Sequence, residues 1–257
     1  MNEFENTWAI ILGGSSGLGL ATAHKLASHG MNICIVHRDK RQNLTTFETE
    51  VKKLESTGVA VKTYNQDALK ESVKNEILSN FPKQSVKLIL HSIAKGSLKT
   101  MAGPSNEILS QQDFEITLNA MALSWYGWTQ TLLQRELFAE NARSIAFTSE
   151  GNTKVWPGYA AVSTAKAALE ALMRSMAVEL APLGLTTNCI QAGTTITPSF
   201  LAIPGSAQLS EISKNRNPFG RLTTPADVAN AVYLLCKKEG KWINGTILKV
   251  DGGESLR

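Results

Sequence analysis

The sequence predicts an α/β fold: a doubly wound, seven-stranded parallel sheet flanked by helices. Short apolar runs alternate with helical patterns along the 257 residues, which is typical of strand–helix–strand units. The first apolar run ends in a glycine-rich turn that opens a helix. No linker, low-complexity stretch or internal repeat interrupts the alternation. We therefore expect one domain covering residues 1–257.

Composition and charge narrow the class of protein. Hydrophobic residues make up 43% and charged residues 19% of the chain, as in ordinary globular proteins. The net charge of +4 is too small and too evenly spread to indicate nucleic acid binding, although it would not repel an anionic substrate. With no secretory signal pattern and no apolar run of about 20 residues, we expect a cytoplasmic protein without a membrane partner.

The three cysteines do not have the spacing of a metal site. Cys34, Cys189 and Cys236 are far apart, and no C-x-x-C motif is present. Cys34 and Cys189 lie in apolar runs that predict buried strands. We therefore expect structural thiols in a reducing compartment and no bound metal.

The first strand and its turn predict a dinucleotide site. Residues 8–12 form an apolar run, residues 13–19 read G-G-S-S-G-L-G, and a helical pattern follows. Glycines allow a tight turn and a close approach of the backbone to a pyrophosphate, which binds at the helix N-terminus. Ser15 and Ser16 add hydroxyl donors to this candidate site.

The end of the second strand, residues 32–36, indicates which dinucleotide is bound. A carboxylate at this point would hold the ribose hydroxyls of NAD, whereas a guanidinium suits the 2′-phosphate of NADP. The chain has His37 and Arg38 here, with Lys40 and Arg41 close behind, and Asp39 lies beyond the arginine. This order favours NADPH over NADH. A solvated basic loop is the alternative interpretation.

The middle of the chain continues the alternation. A helix is predicted at 43–54, a strand at 59–64, a helix at 68–81 and a strand at 86–90, which runs into H-S-I-A at 91–94. Asp67 follows the third strand, where it can reach an adenine amino group or cap the next helix. A long helical pattern at 112–138 and a strand at 144–148 come next.

The last third of the chain completes the predicted sheet. The segment 157–179 is predicted to be helical after Pro157 and Gly158. A strand is predicted at 185–190, before A-G-T-T-I-T at 192–197, and the final strand at 246–250 ends in D-G-G. Ligands of such sheets bind at the carboxyl ends of the strands. The glycine turn, residues 91–94, Ser149 and residues 192–197 all fall at that edge.

One tyrosine and one lysine in the helix at 157–179 form a candidate catalytic pair. Tyr159 and Lys166 are seven residues apart, so in a helix both leave the same face with Cα atoms roughly 10 Å apart. The cation would favour the phenolate and lower the pKa of Tyr159 from about 10, making the phenol a usable proton donor. The alternative is a core tyrosine and a solvent-facing lysine that happen to align.

The motifs together resemble the short-chain dehydrogenase/reductase family, whose members have the Rossmann fold. G-G-S-S-G-L-G, the tyrosine–lysine helix, A-G-x-x-x-T and V-D-G-G carry the resemblance over essentially the whole chain. The usual family tyrosine lies four residues before the lysine, where this chain has Val162. The spacing of seven, H-S-I at 91–93 and A-G at 192–193 resemble instead the divergent enoyl-acyl-carrier-protein reductases, and the helix is most similar to the NADPH-dependent FabL type.

The resemblance implies a role for each candidate residue. Tyr159 would donate a proton or stabilise an enolate, and Lys166 would bind the nicotinamide ribose. Arg38 would select the 2′-phosphate, Asp67 would meet the adenine and Thr197 would lie near the carboxamide or the phosphates. The pyrophosphate cradle would comprise Gly13, Ser15, Gly17, Leu18 and Gly19. The remaining candidate cofactor contacts at this edge are Ser16, His37, Ser92, Ile93, Ala94, Gly193 and Thr195.

Some positions depart from the family pattern. Leu12 stands where a threonine often precedes the first glycine, and Ala146 stands where usual members carry a catalytic serine. Ser149 stands where some enoyl reductases have an aromatic residue, and it is a candidate catalytic residue. Either Thr117 or Asn119 would correspond to the family asparagine of the fourth helix.

The resemblance implies reduction of the C=C bond of an enoyl thioester in fatty acid synthesis. Its partners would be an acyl thioester, carried by acyl carrier protein or coenzyme A, and further copies of the chain in a homotetramer or a dimer. The apolar segment at about 195–215 is predicted to be a substrate lid or a packed surface loop. A ketoacyl or carbonyl reductase in which Ser149 assists Tyr159 is the alternative enzyme. A non-catalytic dinucleotide-binding regulator is the alternative outside enzymes.

Overall fold

A computed structural model of the protein describes residues 4–104 and 108–257. The strands of this part of the chain form one parallel sheet in the order β3-β2-β1-β4-β5-β6-β7. They are β1 (Trp8–Leu12), β2 (Asn32–His37), β3 (Val61–Asn65), β4 (Val86–His91), β5 (Phe138–Thr148), β6 (Thr186–Ala192) and β7 (Ile247–Val250). The predicted doubly wound, seven-stranded sheet is confirmed.

Helices connect the strands. They are α1 (Gly17–Ala27), α2 (Arg41–Glu55), α3 (Glu71–Leu78), α4 (Gln111–Leu118), α5 (Ser124–Gln134), α6 (Ala160–Glu179), α7 (Pro198–Leu201), α8 (Ser206–Arg216) and α9 (Pro225–Cys236). A π-helical turn, Asn119–Leu123, joins α4 to α5. No helix in the described ranges is both long and apolar enough to cross a bilayer.

The sheet has a hydrophobic layer on each face, and β1 shows why. Successive side chains of a strand point to opposite faces, and in a parallel sheet covered on both sides each face must be apolar. Ala9 and Ile11 pack in the layer that contains α1 and α9. Ile10 and Leu12 pack in the opposite layer with residues of α3 and α5. An uninterrupted apolar run is therefore what this central strand requires.

The three cysteines lie in these layers as thiols. Cys34 is in β2, Cys189 is in β6 and Cys236 ends α9, and all three are buried. Burial raises the pKa of Cys34 to about 12 and raises that of Cys189 as well. Among the described residues, no group of three or more His, Cys, Asp or Glu side chains could hold a metal ion.

Two predicted helices have different bounds in the structure. The pattern at 112–138 is divided by the π-helical turn, and α5 ends at Gln134. The chain then reverses at Glu136, which has a left-handed φ of 56°, and β5 begins at Phe138 rather than at Ser144. Periodicity could not distinguish Phe138 and Ala139 at the start of β5 from a continuation of the helix, because a pattern over so few residues fits either structure. The helix predicted at 68–81 begins only at Glu71.

The strand order places a crevice beside β1. The chain moves outward from β1 to β3 and then returns to add β4 on the other side of β1. Ligands of open α/β sheets bind at such a switch point, outside the carboxyl ends of the strands. The loops that follow β1 and β4 therefore frame the candidate site.

Candidate active site

The glycine turn after β1 packs directly against the loop after β4. A Cβ added at Gly13, whose φ is +83°, would lie 2.7 Å from the carbonyl oxygen of Ser92. A Cβ at Gly19 would lie 2.5 Å from the carbonyl oxygen of Gly13 and 3.1 Å from the Oγ of Ser92. Both contacts are too short for a side chain, so glycine is required for the two loops to meet beneath the crevice.

The N-terminus of α1 opens onto the same crevice. Ser16 is its N-cap residue but its side chain makes no capping hydrogen bond, and the first turn carries no acidic residue. The first N–H groups of the helix and the positive end of its dipole suit an anion. Thr197 lies over this turn, since a Cβ at Gly17 would be 3.1 Å from its methyl group. The arrangement fits a dinucleotide pyrophosphate.

Other cradle positions have mixed environments. Ser15 is half-buried, and Leu18 is partly buried against the layer of α1 and α9. Thr197 caps α7 by accepting a hydrogen bond from Phe200 N at 3.2 Å. The Oγ1 of Thr195 donates to the carbonyl of Gly193 at 2.8 Å, which stabilises the turn after β6. Gly193 packs closely against the backbone just after β7: an added Cβ would lie 2.9 Å from the Cα of Asp251.

The predicted adenosine contacts form an ion pair. Arg38 Nη1 donates to Asp67 Oδ2 at 2.9 Å, and the arginine side chain remains 59% exposed. Burial acts to raise the Asp67 pKa, but the hydrogen bond from Leu69 N and the charge of Arg38 outweigh it and lower that pKa. Asp67 does not cap a helix, since α3 starts four residues later. The residues predicted to contact the 2′-phosphate and the adenine are therefore adjacent in space.

His37 has a different environment from Arg38. Its ring is buried, lies 4.4 Å from the ring of Phe47 and has Nδ1 3.0 Å from Asp39 Oδ2. Burial lowers the pKa of His37, against the opposing effect of Asp39. The side chain thus packs under the loop after β2, while Arg38 reaches solvent at the crevice.

The loop after β4 begins at a buried histidine. His91 Nε2 lies 2.9 Å from Ser124 Oγ and 3.2 Å from the carbonyl oxygen of Ala120, so the ring contacts the π-helical turn. Burial lowers the pKa of His91 to about 3, which keeps the ring neutral. Beyond it, Ile93 packs partly into the layer of α3 and α5, and Ala94 is exposed at the crevice.

Tyr159 precedes the helix rather than lying within it. The helix α6 begins at Ala160, and Tyr159 is its N-cap residue with φ −102° and ψ 2°. The prediction that a single helix carries both Tyr159 and Lys166 is therefore wrong by one residue. The tyrosine ring is half-buried and packs against Gly151, where an added Cβ would lie 2.5 Å from its Cε1.

Lys166 is held by the end of β5. Its Nζ donates to the carbonyl oxygen of Phe147 at 2.6 Å, and the residue is only 7% exposed. Burial lowers its pKa to about 8, although the charge of Glu170 acts in the opposite direction. A cationic ammonium at neutral pH therefore lies beneath the crevice.

The expected effect of Lys166 on Tyr159 is not found. Burial raises the pKa of Tyr159, and the effect that opposes burial comes from the hydroxyl of Ser149. The prediction that Lys166 lowers this pKa is wrong for this structure, because the ammonium is directed at the Phe147 carbonyl. Tyr159 is consequently a neutral phenol across the physiological range, as a hydrogen-bond donor must be.

The hydroxyl of Ser149 lies beside the phenol of Tyr159. Ser149 is the residue before a 3₁₀ turn, Glu150–Asn152. Its buried Oγ is near enough to the phenol to lower the Tyr159 pKa, but it makes no hydrogen bond of good geometry among the described residues. An unpartnered buried hydroxyl is costly unless a ligand pairs with it. Ser149 and Tyr159 together can therefore donate to one substrate oxygen. Ala146, by contrast, is fully buried in β5.

The fourth-helix candidates occupy different positions. Thr117 is buried near the end of α4, and its Oγ1 accepts a hydrogen bond from Ser97 N at 3.1 Å. Asn119 begins the π-helical turn, and such turns are frequent at functional sites. The loop after β4 is thus fixed to α4 by Thr117, while Asn119 belongs to the irregular turn beside His91.

Segment 195–215 contains α7 and most of α8. The indole Nε1 of Trp156, three residues before Tyr159, donates to the carbonyl of Pro204 at 3.1 Å. Val155, next to Trp156, and Ile196 and Leu201 of the segment have exposed apolar side chains. The segment is thus attached to the Tyr159 loop and presents apolar surface beside it.

Known proteins share this fold and sequence pattern. The family model described as Enoyl-(Acyl carrier protein) reductase matches residues 13–255. The chain is 31% identical to the NADH-dependent enoyl-[acyl-carrier-protein] reductase FabI of Aquifex aeolicus, over 72% of the chain and 68% of that protein. It is 26% identical to the 3-oxoacyl-[acyl-carrier-protein] reductase FabG of Staphylococcus epidermidis, over 96% of the chain and 98% of that protein.

Solved structures agree with the sequence comparison. The crystal structure of the Aquifex aeolicus enoyl reductase superposes with a TM-score of 0.82 at 25% identity, covering 99% of this chain and 98% of that chain. A short chain dehydrogenase from Burkholderia cenocepacia in complex with NADP has the same fold, with a TM-score of 0.82 at 24% identity and coverage of 99% and 100%. Because the family match spans nearly the whole chain, this protein belongs to the enoyl-(acyl carrier protein) reductase family of short-chain dehydrogenases/reductases and is a nicotinamide-dinucleotide-dependent oxidoreductase.

Proposed function

We propose that the protein reduces the C=C bond of an enoyl thioester with NADPH. The observation that carries the proposal is the position of Tyr159, seven residues before Lys166 and at the start of α6, with its phenol beside the crevice. This spacing separates the chain from the usual carbonyl reductases of the family. The match to the enoyl reductase family and the 31% identity with an enoyl reductase support it.

The residues at the crevice suit this chemistry. The nicotinamide, when bound, supplies a hydride to the β-carbon of the conjugated thioester. The C=C electron pair would then move toward the thioester oxygen, and the resulting enolate would take a proton from water at the α-carbon. Tyr159 donates a hydrogen bond to that oxygen, and Lys166 contributes positive charge nearby. Donors aimed at an oxygen where charge develops are a large source of catalysis.

A 3-ketoacyl reductase is the second candidate, and Ser149 is the observation that favours it. Its hydroxyl is buried, unpartnered in the described structure and close enough to Tyr159 to affect the phenol pKa. Two hydroxyl donors on one oxygen suit a carbonyl that becomes an alcohol. The similarity to a 3-oxoacyl reductase over 96% of the chain supports this alternative.

Paired substrates distinguish the two functions. We expect NADPH oxidation, followed by absorbance, with crotonyl thioesters and little or none with acetoacetyl thioesters of the same carrier. Ser149→Ala should lower kcat for the enoyl thioester by less than about tenfold, since Tyr159 remains as a donor. Oxidation with acetoacetyl thioesters only, and a collapse of that activity in Ser149→Ala, would establish the keto reductase instead.

Cofactor choice follows from Arg38. We propose NADPH as the preferred cofactor, because the exposed guanidinium can bind a 2′-phosphate. The Aquifex relative is named as NADH-dependent, so this position needs a direct test. In Arg38→Ala, the Kd for NADPH should rise by roughly 10- to 100-fold, because one charge-assisted hydrogen bond is lost. The Kd for NADH should stay within about twofold. Fluorescence titration measures both.

The matched control for Arg38 is Lys52→Ala, which removes one exposed positive charge from α2. This variant should leave both dissociation constants unchanged at 0.15 M salt, where distant surface charges are screened. Equal weakening of NADPH and NADH in Arg38→Ala would assign the arginine to the adenine pocket through Asp67. The proposed selectivity would then be wrong.

The substrate and the assembly follow the same reasoning. We propose that the acyl chain lies on the exposed apolar side chains of the segment 195–215, which would act as a lid in this single domain. Acyl carrier protein is the proposed carrier, in fatty acid synthesis, and a homotetramer the proposed assembly. Support comes from the carrier-protein substrates in the names of the two bacterial relatives.

A further inference from the structure

A buried carboxylate lies one helical turn after Lys166. Glu170 is 6% exposed and belongs to the face of α6 that packs on the sheet. Its Oε1 accepts a hydrogen bond from Thr148 Oγ1 at 2.5 Å, and its Oε2 accepts one from Asn152 Nδ2 at 2.6 Å. A buried carboxylate requires such partners, and hydrogen bonds to a charged acceptor are the strong ones.

The two partners lie at the ends of one short segment. Thr148 is the last residue of β5 and Asn152 is the last residue of the 3₁₀ turn. Between them lie Ser149, with its unpartnered hydroxyl, and Gly151, against which the Tyr159 ring packs. The carboxylate of Glu170 therefore spans the segment 148–152, and the segment in turn supports both hydroxyl donors.

We propose that Glu170 is a positioning residue: its carboxylate fixes segment 148–152, and through that segment it fixes Ser149 and the ring of Tyr159. The importance of these two donors rests on the proposed function. Errors of about 1 Å in the placement of catalytic groups can cost roughly a hundredfold in rate. A tie at each end of the segment restricts such movement.

The charge of Glu170 has a second, separable effect. It acts against burial to keep the pKa of Lys166 from falling further. Cys189 of β6 also lies nearby, but burial raises its pKa and keeps it a neutral thiol. His91 at the end of β4 also faces Lys166, but it is neutral because its pKa is about 3. Removing the carboxylate charge should therefore move the titration of Lys166 to lower pH.

Two substitutions separate the hydrogen bonds from the charge. In Glu170→Gln, the amide oxygen can accept from Thr148, and the amide NH2 can donate to Asn152 Oδ1, which has no partner among the described residues. This requires only that the Asn152 amide flips. Glu170→Gln thus keeps both ties without the charge, whereas Glu170→Ala removes the ties and the charge.

The readouts are kcat, KM for NADPH, and the pH dependence of urea unfolding. Glu170→Ala should lower kcat by roughly 10- to 100-fold with KM for NADPH within about threefold, because the cofactor cradle is elsewhere. Glu170→Gln should keep kcat at pH 7 within about threefold, which is rescue by the conservative variant. Because the pKa of Lys166 is lowered in the folded protein, Lys166 loses its proton there before it does in the unfolded chain, and the free energy of unfolding rises with pH. In Glu170→Gln this rise should begin at lower pH than in the wild type.

Controls keep the test decisive. Glu179→Ala and Glu179→Gln change an exposed glutamate at the end of the same helix and should have no effect on any readout. If Glu170→Ala fails to fold, Asn152→Ala cuts one tie alone and should lower kcat by about tenfold with the pH dependence of unfolding unchanged. Wild-type kcat in Glu170→Ala, or in Asn152→Ala, overturns the proposal.

The outcome can be told apart from a failure of the proposed function. All variants are assayed with whichever thioester the wild type reduces, enoyl or keto. A wild type that reduces only keto thioesters contradicts the proposed function but leaves the comparison of variants valid. Equal loss of kcat in Glu170→Ala and Glu170→Gln, with folding intact, overturns the positioning role on either substrate.

Discussion

Replacing Tyr159 with phenylalanine is expected to lower kcat by about 10²- to 10³-fold, the effect of removing one donor to a developing oxyanion. The Kd for NADPH should change by less than about threefold, since the residues proposed to bind the pyrophosphate and the 2′-phosphate are untouched. The ring itself remains, so its packing against Gly151 is kept. Steady-state kinetics and fluorescence titration measure the two effects separately.

The control for Tyr159→Phe is Tyr126→Phe. Tyr126 is an exposed tyrosine of α5 whose hydroxyl accepts a hydrogen bond from Gln130, so its loss should leave kcat unchanged. Because burial raises the pKa of Tyr159, the phenol should stay protonated between pH 6 and 9, and a fall in the wild-type rate across this range should come from Lys166, whose pKa is about 8. Retention of turnover in Tyr159→Phe would remove this phenol from the chemistry.

Replacing Lys166 with methionine is expected to lower kcat/KM by roughly a hundredfold or more, while the protein becomes no less stable at pH 7. The ammonium is buried, and burial lowers its pKa from the usual 10.5 to about 8. Holding a charge in that environment costs free energy in the folded state. An apolar side chain of similar length avoids the cost but loses the positive charge at the crevice.

The pH dependence of stability identifies this cost. Between about pH 8 and 10.5 the unfolded chain holds more protons at Lys166 than the folded protein does. The free energy of unfolding should therefore rise with pH across this window in the wild type, with smaller changes below it. Urea unfolding at pH 7 and 9.5 measures the rise.

The rise should be absent in Lys166→Met and present in the control Lys241→Met, which changes an exposed lysine. The control should also keep wild-type kcat/KM. An unchanged rise in Lys166→Met would assign the pH dependence to another group. Unchanged kcat/KM would show that the ammonium is not needed for turnover.

The centre of the sheet was predictable because strands such as β1, β2 and β4 are buried on both faces. β1 was predicted at residues 8–12 and occurs at Trp8–Leu12, since an apolar run between a polar segment and a glycine turn leaves little freedom in its ends. The convergence of the loops after β1 and β4 followed from the rule that parallel strands share a carboxyl edge. Gly13 and Ser92 do meet there.

The start of α6 was not predictable from periodicity. Gly158 has a φ of 74°, and an added Cβ would lie 2.8 Å from the carbonyl oxygen of Leu98. This contact with a distant loop sets the turn before the helix, so Tyr159 leaves the chain from the N-cap position. The relation of Tyr159 to Lys166 consequently depends on tertiary structure as well as on the helical repeat.

The polar contacts of the candidate site could not be predicted from the sequence either. Nothing in the sequence around Glu170 indicates its partners, which are 22 and 18 residues earlier in the chain. Arg38 and Asp67, assigned to different parts of the cofactor, are 29 residues apart and pair with one another. Only the fold brings such groups together, because local patterns carry no record of a partner on another element.

The buried thiols make the protein suitable for site-specific fluorescence labelling. Because all three cysteines are buried, maleimide dyes should leave the native wild type unmodified. Leu201 of α7 is 62% exposed, so Leu201→Cys would introduce one accessible attachment point on the segment 195–215. A dye at this position would report, by its emission, whether that segment moves when NADPH or a thioester is added.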